Sequence, residues 1–147
     1  MRVLGIDFGE RRVGLAISDV SRTLARPLAT VAVNGPDDAL HRVAAEIDRL
    51  AREDDGLDAI VVGLPRRLDG SANEATDRAA AFVDALRGRT SIPVATADER
   101  LTSREAESRL ALRERDWRRR KKKLDAVAAA IILQEYLDGS GNADGSR

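Results

Sequence analysis

The sequence predicts an α/β fold: a mixed five-stranded sheet with helices on its faces. Three observations predict it. The first part of the chain carries three apolar runs rich in branched residues, separated by short polar turns, as in strands paired antiparallel. Beyond them, helical and strand patterns alternate, and strands separated by helices join as parallel, right-handed crossovers. The run Ala59-Ile60-Val61-Val62-Gly63-Leu64 is continuously apolar, the pattern of a strand covered on both faces. The 147 residues suit one domain, which at this size buries roughly 70% of its unfolded surface.

Residues 3–8 form the first expected strand, with Asp7 set among Ile6 and Phe8. Burying an unpaired charge there is costly, so Asp7 requires a partner. A metal ion is one candidate; hydrogen bonds from the following turn are the other. Gly9 permits a sharp turn and the close approach of a ligand. Residues 13–19 then give a second strand. A polar turn at Ser21-Arg22-Thr23 leads to a third over 26–33, which Asn34-Gly35-Pro36 ends. Leu40, Val43, Ala44, Ile47, Leu50 and Ala51 recur at helical spacing over 37–52. The only histidine, His41, lies on that helix without a Cys or His partner, which reads as a surface position.

The fourth strand runs into Pro65-Arg66-Arg67-Leu68-Asp69-Gly70-Ser71, a turn-rich loop with two cations. Ala75, Ala79, Phe82, Val83 and Leu86 mark a second helix that closes near Gly88. Residues 91–97 give the fifth strand. Thr102-Ser103-Arg104-Glu105 fits a capping box opening a third helix that extends to about residue 114. A basic run, Arg118-Arg119-Arg120-Lys121-Lys122-Lys123, reads as a loop before the last helix, 124–137, which is apolar nearly all round and so buried. Residues 1–137 form the expected domain, and 138–147, rich in Gly, Ser, Asn and Asp, an expected disordered tail.

Composition excludes several classes. There is no cysteine, so disulfides and thiolate metal sites are ruled out. No run is long enough to cross a bilayer as a helix, and Asp7 interrupts the N-terminal apolar stretch, so no signal peptide is read there. A soluble, cytoplasmic protein is expected. The formal net charge is zero, which excludes a global basic field for nucleic acid. The six contiguous cations at 118–123 are where charge concentrates instead, and Trp117 beside them could stack on a base or anchor the loop.

Three carboxylates stand at the boundaries of buried elements: Asp7 in the first strand, Glu99 after the last, and Asp125 at the start of the final helix. An all-oxygen site of this kind suits magnesium or manganese. Two such ions can clamp the attacking and leaving oxygens of a phosphodiester. Nearby cations would hold the phosphate backbone. Bland readings stand beside these. Asp98 competes with Glu99, because successive strand side chains point to opposite faces. Asp125 can be a helix-terminal acid favoured by the dipole. The basic run can be a solvated loop. Arg66 and Arg67 can be loop surface, although they follow the C-terminal end of a parallel strand, where sites collect.

Four segments together resemble one family. Gly5-Ile6-Asp7-Phe8-Gly9 with Arg12, Gly14 and Asp19 is similar to its first motif, and Gly63-Leu64-Pro65 with Asp69-Gly70-Ser71 to its second. Asp98-Glu99-Arg100-Leu101-Thr102-Ser103 resembles the third. Lys121, Lys123, Asp125, Ala128-Ala129 and Ile132-Leu133-Gln134 resemble the fourth, with Lys122 where the family often has glycine. The family is the YqgF or RuvX type, with an RNase H-like fold, assigned to Holliday-junction resolution or to pre-16S ribosomal RNA cleavage. The resemblance implies a metal-dependent nuclease maturing small-subunit ribosomal RNA, with Asp7, Glu99 and Asp125 as catalytic, metal-holding acids. It implies a ribosomal RNA precursor, branched DNA or ribosomal particles as partners. A monomer or dimer is expected, with nucleic-acid contacts from the motif cations Arg12, Arg100, Lys121 and Lys123, and, on charge and position, from Arg66, Arg67, Arg118, Arg119, Arg120 and Lys122. It also implies the sheet order third, second, first, fourth, fifth. Glu99 must then reach over Gly63 toward Asp7, across about 10 Å of strand spacing. Two other classes compete: a nucleotide-binding ATPase of the actin and sugar-kinase kind, which needs two such domains, and a non-catalytic nucleic-acid-binding or ribosome-assembly module.

Overall fold

The computed structural model describes residues 1–66, 69–98 and 117–143, with the side chains of 125–139 in the last stretch. Five strands form one sheet: β1 (Arg2–Asp7), β2 (Arg12–Ser18), β3 (Ala25–Ala32), β4 (Leu57–Leu64) and β5 (Val94–Asp98), in the order β3-β2-β1-β4-β5. β1 pairs antiparallel with β2, and β2 with β3; β4 runs parallel to β1, and β5 to β4. Three helices complete the described residues: α1 (Pro36–Arg52), α2 (Glu74–Arg87) and α3 (Trp117–Ala143). The mixed sheet and its order are those expected. None of the helices described is long and apolar enough to cross a membrane.

The strand period of two sorts the sheet into two faces. Leu4, Ile6, Leu15, Ile17, Ile60 and Val62 point to one side and pack with Val43, Ile47 and Leu50 of α1 and Phe82, Val83 and Leu86 of α2. Val3, Ala16 and Val61 point to the other and pack with Ala129, Leu133 and Leu137 of α3. Each large aliphatic side chain buried this way contributes roughly 2 kcal/mol. α3 lies close on the sheet because β1 offers it Gly5. A Cβ there would stand 2.7 Å from Leu133 Cβ and 3.1 Å from the Ala129 carbonyl. Gln134 pins the same helix to the β2–β3 connection. Its Nε2 donates to the Thr23 carbonyl and its Oε1 accepts from the Ala25 N–H, both at 2.9 Å.

α1 begins with Pro36 and two aspartates in its first turn, a start favoured by proline's fixed φ and the helix dipole. Its other end is closed by Arg2, a buried cation. Arg2 Nε donates to the Gly56 carbonyl at 3.0 Å, and Nη2 to the Leu50 carbonyl at 3.2 Å and to Glu53 at 2.9 Å. α2 opens on a reciprocal cap. Asn73 accepts from the Thr76 N–H at 3.0 Å, and Thr76 Oγ1 from the Asn73 N–H at 3.0 Å. Thr76 Oγ1 also donates to the Pro65 carbonyl, which ties the start of α2 to the end of β4.

The C-terminal region differs from expectation. The basic run is not a loop: positions 117–123 are the first turns of α3. Arginine and lysine are good helix formers, and here helix propensity prevails over the tendency of a charge run to stay solvated. Asp125 is therefore inside a helix rather than at its start. α3 also runs past the expected boundary at Leu137, through Asp138 to Ala143. Propagation from a packed body accounts for this, since extending a helix costs far less than nucleating one. Gln134 Nε2 adds a 2.9 Å bond to Asp138 across that boundary. The remainder of the expected tail, 144–147, and the expected helix over 102–114 lie outside the described residues, as do Arg67, Glu99 and Arg100.

Candidate active site

At the C-terminal end of β1 the sheet registers form a row. Thr30 of β3 pairs with Gly14 of β2, Gly14 with Asp7, Asp7 with Gly63 of β4, and Gly63 with Ala97 of β5. Residues paired across strands share a face, and this is the face α3 covers, since Val61 and Ala97 pack with its cluster. Asp7 thus projects from a row in which its neighbours on both sides are glycines, and it is half-buried. Small residues keep that end of the sheet low around a single carboxylate.

α3 brings the second acid there. A Cβ on Gly14 would overlap the Asp125 carbonyl and stand 3.0 Å from the Ala126 nitrogen, so the helix backbone rests directly on β2 beside Asp7. The Asp125 carboxylate does not hang free. Its Oδ2 accepts from Arg12 Nε at 2.6 Å. Arg12 begins β2 and lies two residues from Gly14, on the same face. The pair is part-buried and joins positions 113 apart in sequence. The hairpin that carries Arg12 is tight: a Cβ on Gly9 would lie 2.5 Å from the Arg12 carbonyl. Gly9 is needed for space there; it is not among the residues with positive φ.

Asp98 goes the other way. It pairs with Leu64, one position on from the Gly63–Ala97 pair, and so faces α1 and α2 rather than α3. The structure thus separates Asp98 from the Asp7 side. Among the described residues no three His, Cys, Asp or Glu side chains are grouped to hold a metal. Asp7 and Asp125 are the two expected acids that can be placed, and both stand at the same end of the sheet, on either side of Gly14. Arg66 follows β4 at that same end, part-buried, with Nη1 3.5 Å from the Gly70 carbonyl. Arg118–Lys123 are placed as backbone only, in α3 ahead of Asp125. Asp19, part of the first motif, lies at the opposite end of β2. It accepts from the Thr23 and Leu24 N–H groups and from Ser21, which holds its carboxyl below the usual carboxylate range. His41 is exposed, as expected. An apolar cavity of about 360 Å³ lined by Phe8, Leu40 and Phe82 lies on the α1–α2 side and holds neither Asp7 nor Asp125.

Comparison with known proteins bears on this arrangement. The family model described as "RuvX: Holliday junction resolvase" matches residues 1–139. The chain belongs to the RuvX family. Relatives within it agree across nearly the whole length. A protein of Dictyoglomus thermophilum is 44% identical over 142 residues, covering 95% of this chain and 97% of its own. One of Chloroflexus aggregans is 43% identical over 140 residues, covering 95% of each. Both carry the name "Putative pre-16S rRNA nuclease". T. thermophilus RuvC in complex with a Holliday junction substrate is 19% identical, with a TM-score of 0.52 over 98% of this chain and 96% of that one. The fowlpox virus resolvase with its Holliday junction DNA is 13% identical, with a TM-score of 0.56 over 95% and 98%. These two show the RNase H-like fold. Family membership places this RuvX chain among hydrolases that act on nucleic acid.

Sequence reasoning passed over two features of the site. The Arg12–Asp125 pair links opposite ends of the sequence, and no local pattern signals it. The need for glycine at position 14 comes from a helix that arrives more than a hundred residues later. Both positions do lie in the family motifs, and the recurrence of Gly at positions 5, 9 and 14 of one hairpin is the available hint of a backbone crossing close above it.

Proposed function

We propose that this RuvX-family chain is a metal-dependent nuclease that hydrolyses phosphodiester bonds, acting in the cytoplasm on the 5′ end of pre-16S ribosomal RNA. The observation that carries the reading is that Asp7 lies between Gly14 and Gly63 while the backbone at Asp125 rests on that same Gly14. Two acids from opposite ends of the chain stand at one end of the sheet, where the cross-strand neighbours of Asp7 are glycines and Arg12 lies beside Asp125. Their donor set is oxygen alone, which fits Mg²⁺ or Mn²⁺. Glu99 is the third acid of the proposal. It follows the last described residue of β5, Asp98, and enters on the family motif Asp98-Glu99-Arg100-Leu101-Thr102-Ser103. Bound there, a divalent cation would supply Lewis-acid polarisation of the phosphodiester and lower the pKa of a nucleophilic water.

The chain's own groups do the positioning. Asp7 and Asp125 would hold the cation, Asp7 from the centre of the sheet and Asp125 from a helix seated on it. Arg12 and Arg66 supply positive charge at the rim, and Arg67, Arg100 and the run Arg118, Arg119, Arg120, Lys121, Lys122 and Lys123 are the further phosphate-binding cations of the proposal. Phosphate contacts release counterions, so log affinity should fall linearly with log salt. Replacing Lys121, Lys122 and Lys123 with Gln should flatten that slope by up to about 0.7 per lost contact on single-stranded RNA. An unchanged slope in a filter-binding titration removes the run from the interface.

The family description and the Holliday junction complexes of the structural neighbours favour a second reading, cleavage of branched DNA. One experiment separates them. A ribosomal RNA precursor and a four-way DNA junction are each incubated with the protein in Mn²⁺, Mg²⁺ or chelator, and the products are mapped. Cleavage of the RNA that chelator abolishes is the expected result. Cleavage confined to the junction selects the second reading, and cleavage of neither leaves a binding or ribosome-assembly module.

A further inference from the structure

We propose that Arg12 is a positioning residue that holds the Asp125 carboxylate until a divalent cation arrives and then gives it up, so that Arg12 and the cation compete for one oxygen. This rests on the metal-holding role given to Asp125 above. Three observations carry it. Arg12 Nε lies 2.6 Å from Asp125 Oδ2, a short charge-assisted bond that occupies an oxygen a cation would need. Both side chains keep access to solvent, 35% exposed for Arg12 and 23% for Asp125, so the bond can open without unpacking the core. The two partners sit on different elements, whose backbones are set independently: Arg12 by pairing with Ala32 of β3, Asp125 by the contact of α3 with Gly14. Releasing the bond therefore moves side chains only. It also frees a guanidinium, with its planar fork of donors, at the point where a phosphate would come to lie.

The competition has a sign. Removing Arg12 removes a rival for Asp125, so cation affinity should rise. A part-exposed ion pair is worth up to about 1 kcal/mol, which corresponds to a factor of about five. The test is Mn²⁺ binding by calorimetry to the parent, Arg12→Gln, Asp125→Asn and the double variant. Arg12→Gln should bind Mn²⁺ about twofold to fivefold more tightly than the parent. In the Asp125→Asn background the same change should give no such gain, because the contested oxygen has lost its charge. Unchanged or weaker binding by Arg12→Gln overturns the proposal and leaves a structural ion pair. A parent that binds no Mn²⁺ overturns the metal-site reading itself, and with it this one. A second measurement needs no altered protein beyond an assignment control. The Arg12 Nε–H resonance, identified by its loss in Arg12→Lys, should lie downfield in chelator and move toward the free-arginine position as Mg²⁺ saturates. A resonance that stays in place while Mg²⁺ binds overturns the exchange.

Discussion

Asp7→Asn protein is expected to fold, to lose cleavage by about a thousandfold or more, and to lose its response to magnesium. The substitution is nearly isosteric. It keeps one carbonyl oxygen and removes the charge. The neighbours of Asp7 across the sheet are Gly14 and Gly63, so no side chain on either side has to repack. A thousandfold corresponds to about 4 kcal/mol of lost transition-state stabilisation, within what a polarising cation supplies. Stability should move the other way or not at all. In chelator, mutual repulsion among acids gathered at one site raises the cost of the folded state, and neutralising one of them relieves it. Magnesium should raise the melting temperature of the parent by mass action and leave the variant unmoved. The measurement is a pair of thermal melts, in chelator and in magnesium, beside a single-turnover cleavage assay. Robust cleavage by the purified variant would remove Asp7 from the reaction.

How far the site could be read in advance follows from where each contribution to it arises. The strands were legible because their apolar patterns are local: β1, β2 and β4 each announce themselves within eight residues. Asp7 was legible for the same reason, as a charge inside such a run. The order of the strands was not, because a crossover through α1 says that β4 is parallel to its neighbour without saying which edge it joins; the resemblance supplied that. The basic run misled because charge density and helix propensity point opposite ways there. Once α3 begins at Trp117, Asp125 lies in its third turn, and the dipole reading of that residue weakens, since the dipole's influence falls off within the first turn. What remained hidden was everything that depends on α3 landing on the hairpin: the Arg12 bond, the Gln134 clamp on Thr23 and Ala25, and the demand for glycine under the helix. Arg2 was hidden likewise. A buried arginine is visible as such only after the carbonyls of Leu50 and Gly56 have been brought to it.

Gly14→Ala is expected to cost about 3 kcal/mol of stability and to weaken cation binding together with it. The new methyl would overlap the Asp125 carbonyl, whereas a carbon and a carbonyl oxygen normally approach no closer than about 3.3 Å. Neither partner yields easily. Gly14 is held on both sides, by Asp7 and by Thr30, and the obstructing atoms belong to helix backbone rather than to a side chain that can rotate. The helix must therefore lift by more than an ångström at this end while Leu133 and Gln134 still hold it farther along. Overpacking of that kind costs roughly 1–3 kcal/mol or more, and here the upper part of the range applies because the displaced atoms are backbone. The melting temperature should fall by about 10 °C, on a scale of roughly 3–4 °C per kcal/mol for a domain of this size. Lifting the helix also carries Asp125 away from Asp7, so the loss of Mn²⁺ affinity should accompany the loss of stability rather than follow from general unfolding. Gly139→Ala is the control. It makes the same chemical change within α3 itself, at a position where an added Cβ meets nothing within 4 Å, and it should stabilise by up to about 1 kcal/mol. If Gly14→Ala melts with the parent and binds Mn²⁺ equally well, α3 does not rest on β2, and Asp125 loses its place beside Asp7.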